Sequence, residues 1–353
     1  MTSRRSRRGR DTGAPTLERE TRSRRTARNA PRSGWWRPNG SRAVEMKLPH
    51  ARPADAPSRA WLLAPDDAPG VGVRGLVSGT IPFSMVDGPG NRFTVFLQGC
   101  NMDCLACHNP YTIRVCDDCA ACVDVCPTPS LQVVDDAVRW NPATCIGCDD
   151  CIAACPSSST PKTRSVTPEA LVEEVRPVAP FLSGVTVSGG EATQQADFVQ
   201  AFFAALAADP ATRPLTRFVD SNGLVDDATW VQLDGVMDGA MIDLKAFDDA
   251  THQALTGTSN ASVLATIERL AQRGMLHEVR LLMIPGHNDD LEDLERAGAW
   301  LHAVESSMRV KVMGFRCHGV REAASTWTEP TRERLETYGS ALRAGGLTDL
   351  VLI

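Results

Sequence analysis

Eleven of the twelve cysteines in this 353-residue chain crowd between Cys100 and Cys155, and that crowding constrains the fold more than any other feature. Disulfide scaffolds of such density belong to small secreted chains. In a large chain whose N-terminus has no apolar core of the signal-peptide kind, cysteines at short regular spacing point to metal instead. The spacing divides them into three groups. Cys100, Cys104 and Cys107 form CxxxCxxC directly after an alternating apolar run at Phe93–Leu97. Cys116, Cys119, Cys122 and Cys126, closed by Pro127, form a CxxCxxCxxxCP run, which Cys145, Cys148, Cys151 and Cys155 repeat, closed by Pro156.

The repeated run is the bacterial ferredoxin pattern, in which the fourth cysteine ligates the opposite cluster. It assigns Cys116, Cys119, Cys122 and Cys155 to one 4Fe–4S cube, and Cys145, Cys148, Cys151 and Cys126 to another. Paired zinc knuckles are the alternative. The first group differs in kind. Three thiolates on a tight loop hold three corners of a cube and leave one iron without a protein ligand, open to a chelating molecule. His108 adjoins that loop, so a three-Cys zinc site, or a cluster with a distant fourth ligand, also fits those residues taken alone.

Beyond the cysteines, strand and helix periodicities alternate. Strands are predicted at Val185–Ser188, Phe218–Asp220, Ala240–Leu244, Val279–Ile284 and Val310–Phe315. Helices are predicted at Pro168–Val178, Ala196–Ala207, Ala261–Arg273, Leu291–Val304 and Arg332–Leu342. Residues 72–89 read as a short approach, and Leu131–Trp140 as one strand-like piece within the cysteine-rich stretch. This rhythm implies an α/β fold with a parallel sheet and crossover helices. About six such units predict an open, partial (βα)6 barrel rather than a closed one. The predicted division is a barrel over residues 71–112 and 161–353, interrupted by a ferredoxin-like insertion with two 4Fe–4S clusters at 113–160. Barrels of this kind do their chemistry on loops at the C-terminal ends of strands, where every motif here falls.

Charge is unevenly spread. Residues 1–60 hold fifteen Arg and one Lys against five acids, a balance of +11, so the remainder carries −17 of the overall −6. Residues 1–70 are therefore expected to be a disordered basic N-terminal extension, unable to bury a core. Such a tail could meet nucleic acid or an anionic membrane. The plainer expectation is an extension without a specific role, with Met46 as an alternative start. No apolar run approaches the ~20 residues of a membrane helix. The expectation is a monomeric cytoplasmic protein with no nucleic-acid or membrane partner.

Further motifs lie at the predicted strand ends: Gly189-Gly190-Glu191, Asp220-Ser221-Asn222-Gly223, Met241-Ile242-Asp243-Leu244-Lys245, Arg280 and His318-Gly319. Singly they read as turns and as ion pairs worth ~1 kcal/mol or less. Joined to Ser84–Arg92, Leu97-Gln98-Gly99-Cys100 and Cys107-His108-Asn109-Pro110, they make the chain from Ile81 to the C-terminus resemble the radical S-adenosylmethionine superfamily. Within it the chain resembles the activases of glycyl-radical enzymes, pyruvate formate-lyase-activating-enzyme-like, and among these most the activases called YjjW. One departure is Ala106, where many members place an aromatic before the third cysteine.

The resemblance implies that Cys100, Cys104 and Cys107 bind the cluster on which S-adenosylmethionine is reductively cleaved to a 5′-deoxyadenosyl radical. It places Gly189, Gly190 and Glu191 at the methionine part of that molecule, and His108, Arg280 and His318 near it. Asp220, Ser221, Met241 and Asp243 would surround a monovalent cation, Lys245 would contact the carboxylate, and Asp87 would face the substrate protein. Oxygen-rich ligation suits a hard cation. Implied partners are a glycyl-radical enzyme as substrate and a flavodoxin or ferredoxin as electron donor. The two auxiliary clusters are expected to relay electrons, because their first cysteine, Cys116, follows Cys107 by nine residues; binding of the substrate protein and stabilisation of the insertion are the alternatives. Cys317 is expected to be a buried small hydrophobe. Two alternatives stay open: a radical maturase or small-molecule radical enzyme, and a ferredoxin-type electron carrier that consumes no S-adenosylmethionine.

Overall fold

Short, continuous apolar runs build the central strands. The computed structural model describes residues 72–353, so the expectations for residues 1–70 lie outside the described residues. Strand β1 spans Gly75–Ser84 and β2 spans Arg92–Leu97. A hairpin follows in the cysteine-rich segment, β3 (Leu131–Val134) with β4 (Ala137–Trp140), then β5 (Arg164–Val166). The remaining strands are β6 (Gly184–Gly189), β7 (Thr216–Ser221), β8 (Gly239–Asp243), β9 (Leu276–Met283), β10 (Arg309–Gly314) and β11 (Asp349–Leu352). β2 and β6 are buried along almost their whole length, as strands covered on both faces must be.

One nine-stranded mixed sheet results, in the spatial order β11-β10-β9-β8-β7-β6-β2-β1-β5. From β2 to β11 every pairing is parallel, whereas β1 runs antiparallel to both β2 and β5. β5 and β11 form its two edges. The connections are helical: α2 (Pro168–Val175) leads into β6, α3 (Ala196–Ala208) and α4 (Asp227–Leu233) precede β7 and β8, and α5 (Asp249–Thr256) with α6 (Ala261–Gln272) precedes β9. α7 (Leu291–Val304) and α8 (Arg332–Ala344) complete the series. A short helix, α1 (Asp150–Ala153), lies among the cysteines.

Local chemistry explains most boundaries. Thr167, Asp226, Asp248, Asp290 and Thr331 cap the first turns of α2, α4, α5, α7 and α8, each side chain accepting a backbone N–H. Removing one such cap costs about 1 kcal/mol. α2 stops at Val175, short of the expected Val178, because Pro177 has no N–H with which to continue it. β1 is a ten-residue strand where the sequence pattern presents a short approach, and Gly75, Gly79 and Pro82 punctuate it. Pro82 is tolerated where the β1–β2 register slips, between Ile81 and Ser84. Helices α3, α4, α6 and α7 bury Phe198, Phe202, Phe203, Trp230, Ile267 and Leu301 in one core with Val95, Leu97, Val187 and Val219 of the sheet.

The cysteine-rich segment is built differently. Leu131–Trp140 is two strands, not one, because Asp135 and Asp136 both take positive φ, 51° and 59°, and make a two-residue hairpin turn. Its own core is small: Cys122, Leu131 and Cys151, with Val123, Cys126, Val138, Trp140 and Ile152 partly buried around them. The segment is joined to the sheet at buried Gln98, whose Nε2 donates to Tyr111 O at 2.8 Å and Arg114 O at 2.6 Å. Ser159 Oγ donates to the same Arg114 carbonyl at 2.7 Å.

Candidate active site

The CxxxCxxC loop leaves the C-terminal end of β2 and is tied down at several points. Gly99 N donates to Thr112 O at 2.8 Å and Cys100 N to Ile113 O at 3.0 Å, which closes the loop on itself. Asp103 N and Leu105 N donate to the carbonyls of Thr256 and Leu255 at the end of α5, at 3.1 and 2.9 Å. Arg321 pairs with the Asp103 carboxylate from the loop after β10. Burial pushes the Cys100 thiol up to about 12 and the Cys104 thiol up to about 11, and pushes Cys107 in the same direction. These are neutral thiols unless a metal displaces their protons. All twelve cysteines are free.

Two glycines let β6 approach that loop. Gly189 has φ +126°, and a Cβ there would lie 2.1 Å from Leu97 N; at Gly190 it would lie 2.2 Å from Gly99 O. Only glycine fits such contact. The pair is thus required by the strand-to-loop packing itself, in addition to any ligand. Glu191, expected among the ligand-binding residues, turns inward. It is 1% exposed, and burial raises its pKa. Its Oε1 accepts from Thr193 N at 3.0 Å, Thr193 Oγ1 at 2.6 Å and Ser221 Oγ at 2.9 Å, and its Oε2 accepts from Asn222 N at 2.8 Å. Its role is to lock the β6 turn to the β7 turn. The Ser221 hydroxyl is engaged in the same lock, donating to Glu191 and accepting from Gly223 N.

Beside this lock lies a buried charge network. Asp220 Oδ2 accepts from Ser188 Oγ at 2.9 Å, and Oδ1 from Arg280 Nη1 at 3.0 Å. Arg280 also donates to Glu278 Oε1 at 2.6 Å and, across 194 positions, to Val86 O at 3.3 Å. Lys311 joins Glu278 at 2.9 Å. Lys245 donates to Asp243 Oδ2 at 2.7 Å, while Asp243 Oδ1 is buried with no partner among the described residues. Burial and the neighbouring Asp243 push Asp220 upward against Arg280. Asp243 overcomes its own burial through Lys245 and Arg280 and is held below the usual range. Lys245 is carried above its ordinary value despite burial, by Asp243 and the nearby Cys104. Met241 Sδ accepts from Arg280 at 3.0 Å, so its side chain is engaged as well.

The loop before β2 covers this network. Asp87 Oδ2 accepts from Ser84 Oγ at 2.5 Å and Thr94 Oγ1 at 3.2 Å, and its carbonyl accepts from Thr186 Oγ1 at 2.6 Å. Arg92, which pattern reading passed over as a site residue, is fully buried. It donates to Thr186 Oγ1 at 2.6 Å, Val185 O at 2.7 Å and Pro89 O at 3.2 Å, and stands 4.5 Å over the Phe218 ring. A buried charge needs that many partners. Its signal in the sequence was an arginine opening an otherwise apolar strand.

On the other flank, His108 Nε2 bonds Arg316 O at 2.9 Å and its ring lies 5.9 Å from Phe315. Ala106, where an aromatic was expected, packs in a cluster with buried Phe315, Ile284 and Leu255, and with partly buried Trp327. The aromatic volume missing from the loop is supplied from beyond β10. His318 is exposed next in line. Cys317 corrects an expectation: it is exposed, and its Sγ donates to Glu329 Oε1 at 3.2 Å.

The eight remaining cysteines lie in the segment with the small core. Asp118 and Gly147, third in their CxxC turns, have φ 57° and 68°; Ala120 and Asp149, just after those turns, have φ 62° and 64°. The two runs thus repeat one backbone pattern, and alternating hand of this kind aims successive N–H groups at an anionic centre. Cys126, Cys145, Cys148 and Cys151 line one shallow pocket with Trp140 and Lys162. Burial pushes the Cys122 thiol up, and its neighbours Cys155, Cys119 and Cys126 push in the same direction. Among the described residues no three His, Cys, Asp or Glu side chains converge as they would on a single metal ion.

Comparison with known proteins agrees with this geometry. A family model described as the Radical SAM superfamily matches residues 94–297. The chain belongs to the radical SAM superfamily. It is 30% identical over 253 residues to the pyruvate formate-lyase-activating enzyme of Streptococcus mutans, covering 70% of this chain and 80% of that one. The enzyme of the same name from Staphylococcus aureus is 26% identical over 246 residues, covering 67% and 79%. The chain is therefore an oxidoreductase of the activating-enzyme kind, one that works with an iron–sulfur cluster and S-adenosylmethionine. Among solved structures, a domain of such an enzyme from Bacteroides vulgatus superposes with a TM-score of 0.41 at 21% identity, covering 48% of this chain and 99% of that one. No helix among the described residues is long and apolar enough to cross a membrane.

Proposed function

We propose that this chain activates a glycyl-radical enzyme, removing hydrogen from a glycine Cα of that partner protein. The observation that carries the reading is the convergence, at the C-terminal ends of β2, β6, β7 and β8, of three free cysteines, a glycine-only turn and a buried carboxylate–lysine group. Cys100, Cys104 and Cys107 would hold a cube with one open iron. When bound, that cluster supplies the electron that splits S-adenosylmethionine and leaves a 5′-deoxyadenosyl radical.

The chain's own residues bind, orient and shield. Asp220, Asp243 and Glu278 face Lys245, Arg280 and Lys311, while Asp87 faces Arg92. The unpartnered Asp243 Oδ1 suits a monovalent cation held by Asp220, Asp243 and main-chain carbonyls. Lys245, fixed by Asp243, is placed for the substrate carboxylate. Gly189 and Gly190 serve the methionine end, with Glu191 and Ser221 positioning the turns. Arg280, His108 and His318 serve the nucleotide side, and Asp87 the protein substrate.

A partial (βα)6 barrel left open between β5 and β11 gives a protein loop access to the reacting carbon. The segment 113–160 acts as a ferredoxin-like insertion whose two auxiliary cubes pass electrons inward from a flavodoxin or ferredoxin. The protein works as a cytoplasmic monomer. The test is direct: anaerobically reconstituted full chain with flavodoxin and S-adenosylmethionine should release 5′-deoxyadenosine and raise a glycyl-radical signal on a glycyl-radical enzyme. Release without any partner radical would favour a maturase or small-molecule enzyme, and no release an electron carrier.

A further inference from the structure

The β7 turn carries a residue that neither the cluster nor the cation uses as a ligand. Asn222 is 8% exposed and held through its backbone N and both polar atoms of its side chain. Its backbone N donates to Glu191 Oε2, and its Oδ1 accepts from Leu224 N at 2.9 Å. Its Nδ2 donates to Asn101 Oδ1 at 2.8 Å and also reaches the Cys100 sulfur at 3.7 Å. Asn101 closes the clasp by donating to Leu224 O at 2.7 Å. These partners fix the amide's orientation: flipped, its oxygen would face an oxygen and a sulfur, and its NH2 the Leu224 N–H.

Cys100 also accepts from Met102 N at 3.4 Å. Among the described residues no other side chain donates to Cys100, and none donates to Cys104 or Cys107. A donor aimed at a cluster thiolate favours the state with more negative charge on sulfur, and so raises the reduction potential. We propose that Asn222 is a positioning residue for the cluster corner held by Cys100, and that its N–H···S hydrogen bond sets the reduction potential of the catalytic cluster. This rests on the reading that Cys100, Cys104 and Cys107 hold that cluster. The same turn carries Asp220 two residues earlier, so one stretch of chain addresses both the cluster and the cation site.

The test is a potentiometric titration of the reconstituted full chain, followed by electron paramagnetic resonance. The catalytic cluster is recognised as the signal that changes when S-adenosylmethionine is added, and the auxiliary signals serve as an internal reference. Asn222→Asp keeps the acceptor for Leu224 N but loses both side-chain donors; Asn222→Ala loses them without adding charge. Both should shift the catalytic midpoint to more negative potential, Asn222→Asp further, with the auxiliary midpoints unmoved. Asn101→Ala opens the clasp but leaves the N–H···S contact, and should stay near the wild-type midpoint. An unchanged midpoint in both Asn222 variants overturns the proposal, as does an equal shift in Asn101→Ala. Loss of the responsive signal in both Asn222 variants, with the auxiliary signals intact, would make Asn222 a scaffold and also overturn it. A wild-type chain with no such signal would instead refute the underlying cluster reading.

Discussion

The two cysteine-bearing regions are held together by different means. The CxxxCxxC loop hangs on a continuous sheet, with its backbone fastened to Thr112, Ile113, Leu255 and Thr256 and its supports locked through buried Glu191. The segment 113–160 has a core cluster of three buried residues, two of them cysteines, and a single hairpin of two four-residue strands. A domain that small rarely folds on its own packing, and metal binding then becomes folding energy. The lesson is that the thiols of the CxxxCxxC loop sit on a scaffold packed without them, whereas the cysteines of 113–160 are themselves part of the core that holds their segment together.

The largest effect should separate the regions outright. Replacing Cys100, Cys104 and Cys107 with Ala should abolish S-adenosylmethionine cleavage and remove about four of about twelve irons, since the two cubes proposed for 113–160 would have their own ligands. Iron analysis and 5′-deoxyadenosine assay check this; cleavage surviving in the triple variant would break the assignment. Next in size is chelation of iron from the whole protein. Amide hydrogen exchange should then rise throughout 113–160 while β6 to β10 stay protected. Equal protection in both regions would erase the contrast drawn here.

A third, smaller effect concerns how the regions communicate. Cys119→Ser with Cys148→Ser should damage both auxiliary clusters and spare the catalytic loop, slowing cleavage at least about tenfold with flavodoxin as donor. A small strong reductant reaches the catalytic cluster directly, so cleavage driven that way should largely persist. Equal losses with both donors would make the segment structural. The smallest effect belongs to the lock beneath the scaffold. Glu191→Ala strands the Ser221 hydroxyl and the Asn222 N–H in a buried site, which costs about 1–3 kcal/mol for each group. Thermal unfolding should move down and S-adenosylmethionine binding weaken, with iron content unchanged; an unaltered melting curve would show that the turns hold without it.

Much of this was legible in the chain alone. Cysteine spacing, the order of strands and helices, and the Gly189-Gly190 turn are local, and local pattern carries them. The strands missed were those that locality disguises: β1 broken by Gly and Pro, the three-residue β5, and β11 with only four residues. Ala106 packs in one buried cluster with Phe315, 209 residues further along, a contact that no local window displays.

What the sequence by itself determined is the set of reactive groups and the strand ends that bear them, because ligand spacing and hydrophobic periodicity act within a few residues. Only the tertiary structure decided what those groups touch. It turned Glu191 from ligand to lock, committed Ser221 to that lock, exposed Cys317, and carried Asn222 to a sulfur 122 residues away. It joined Arg280 to the Val86 carbonyl and left one oxygen of Asp243 without a partner. The reason is physical: a parallel sheet sets side by side the ends of strands far apart in the chain, so buried polar groups must find their hydrogen bonds across it.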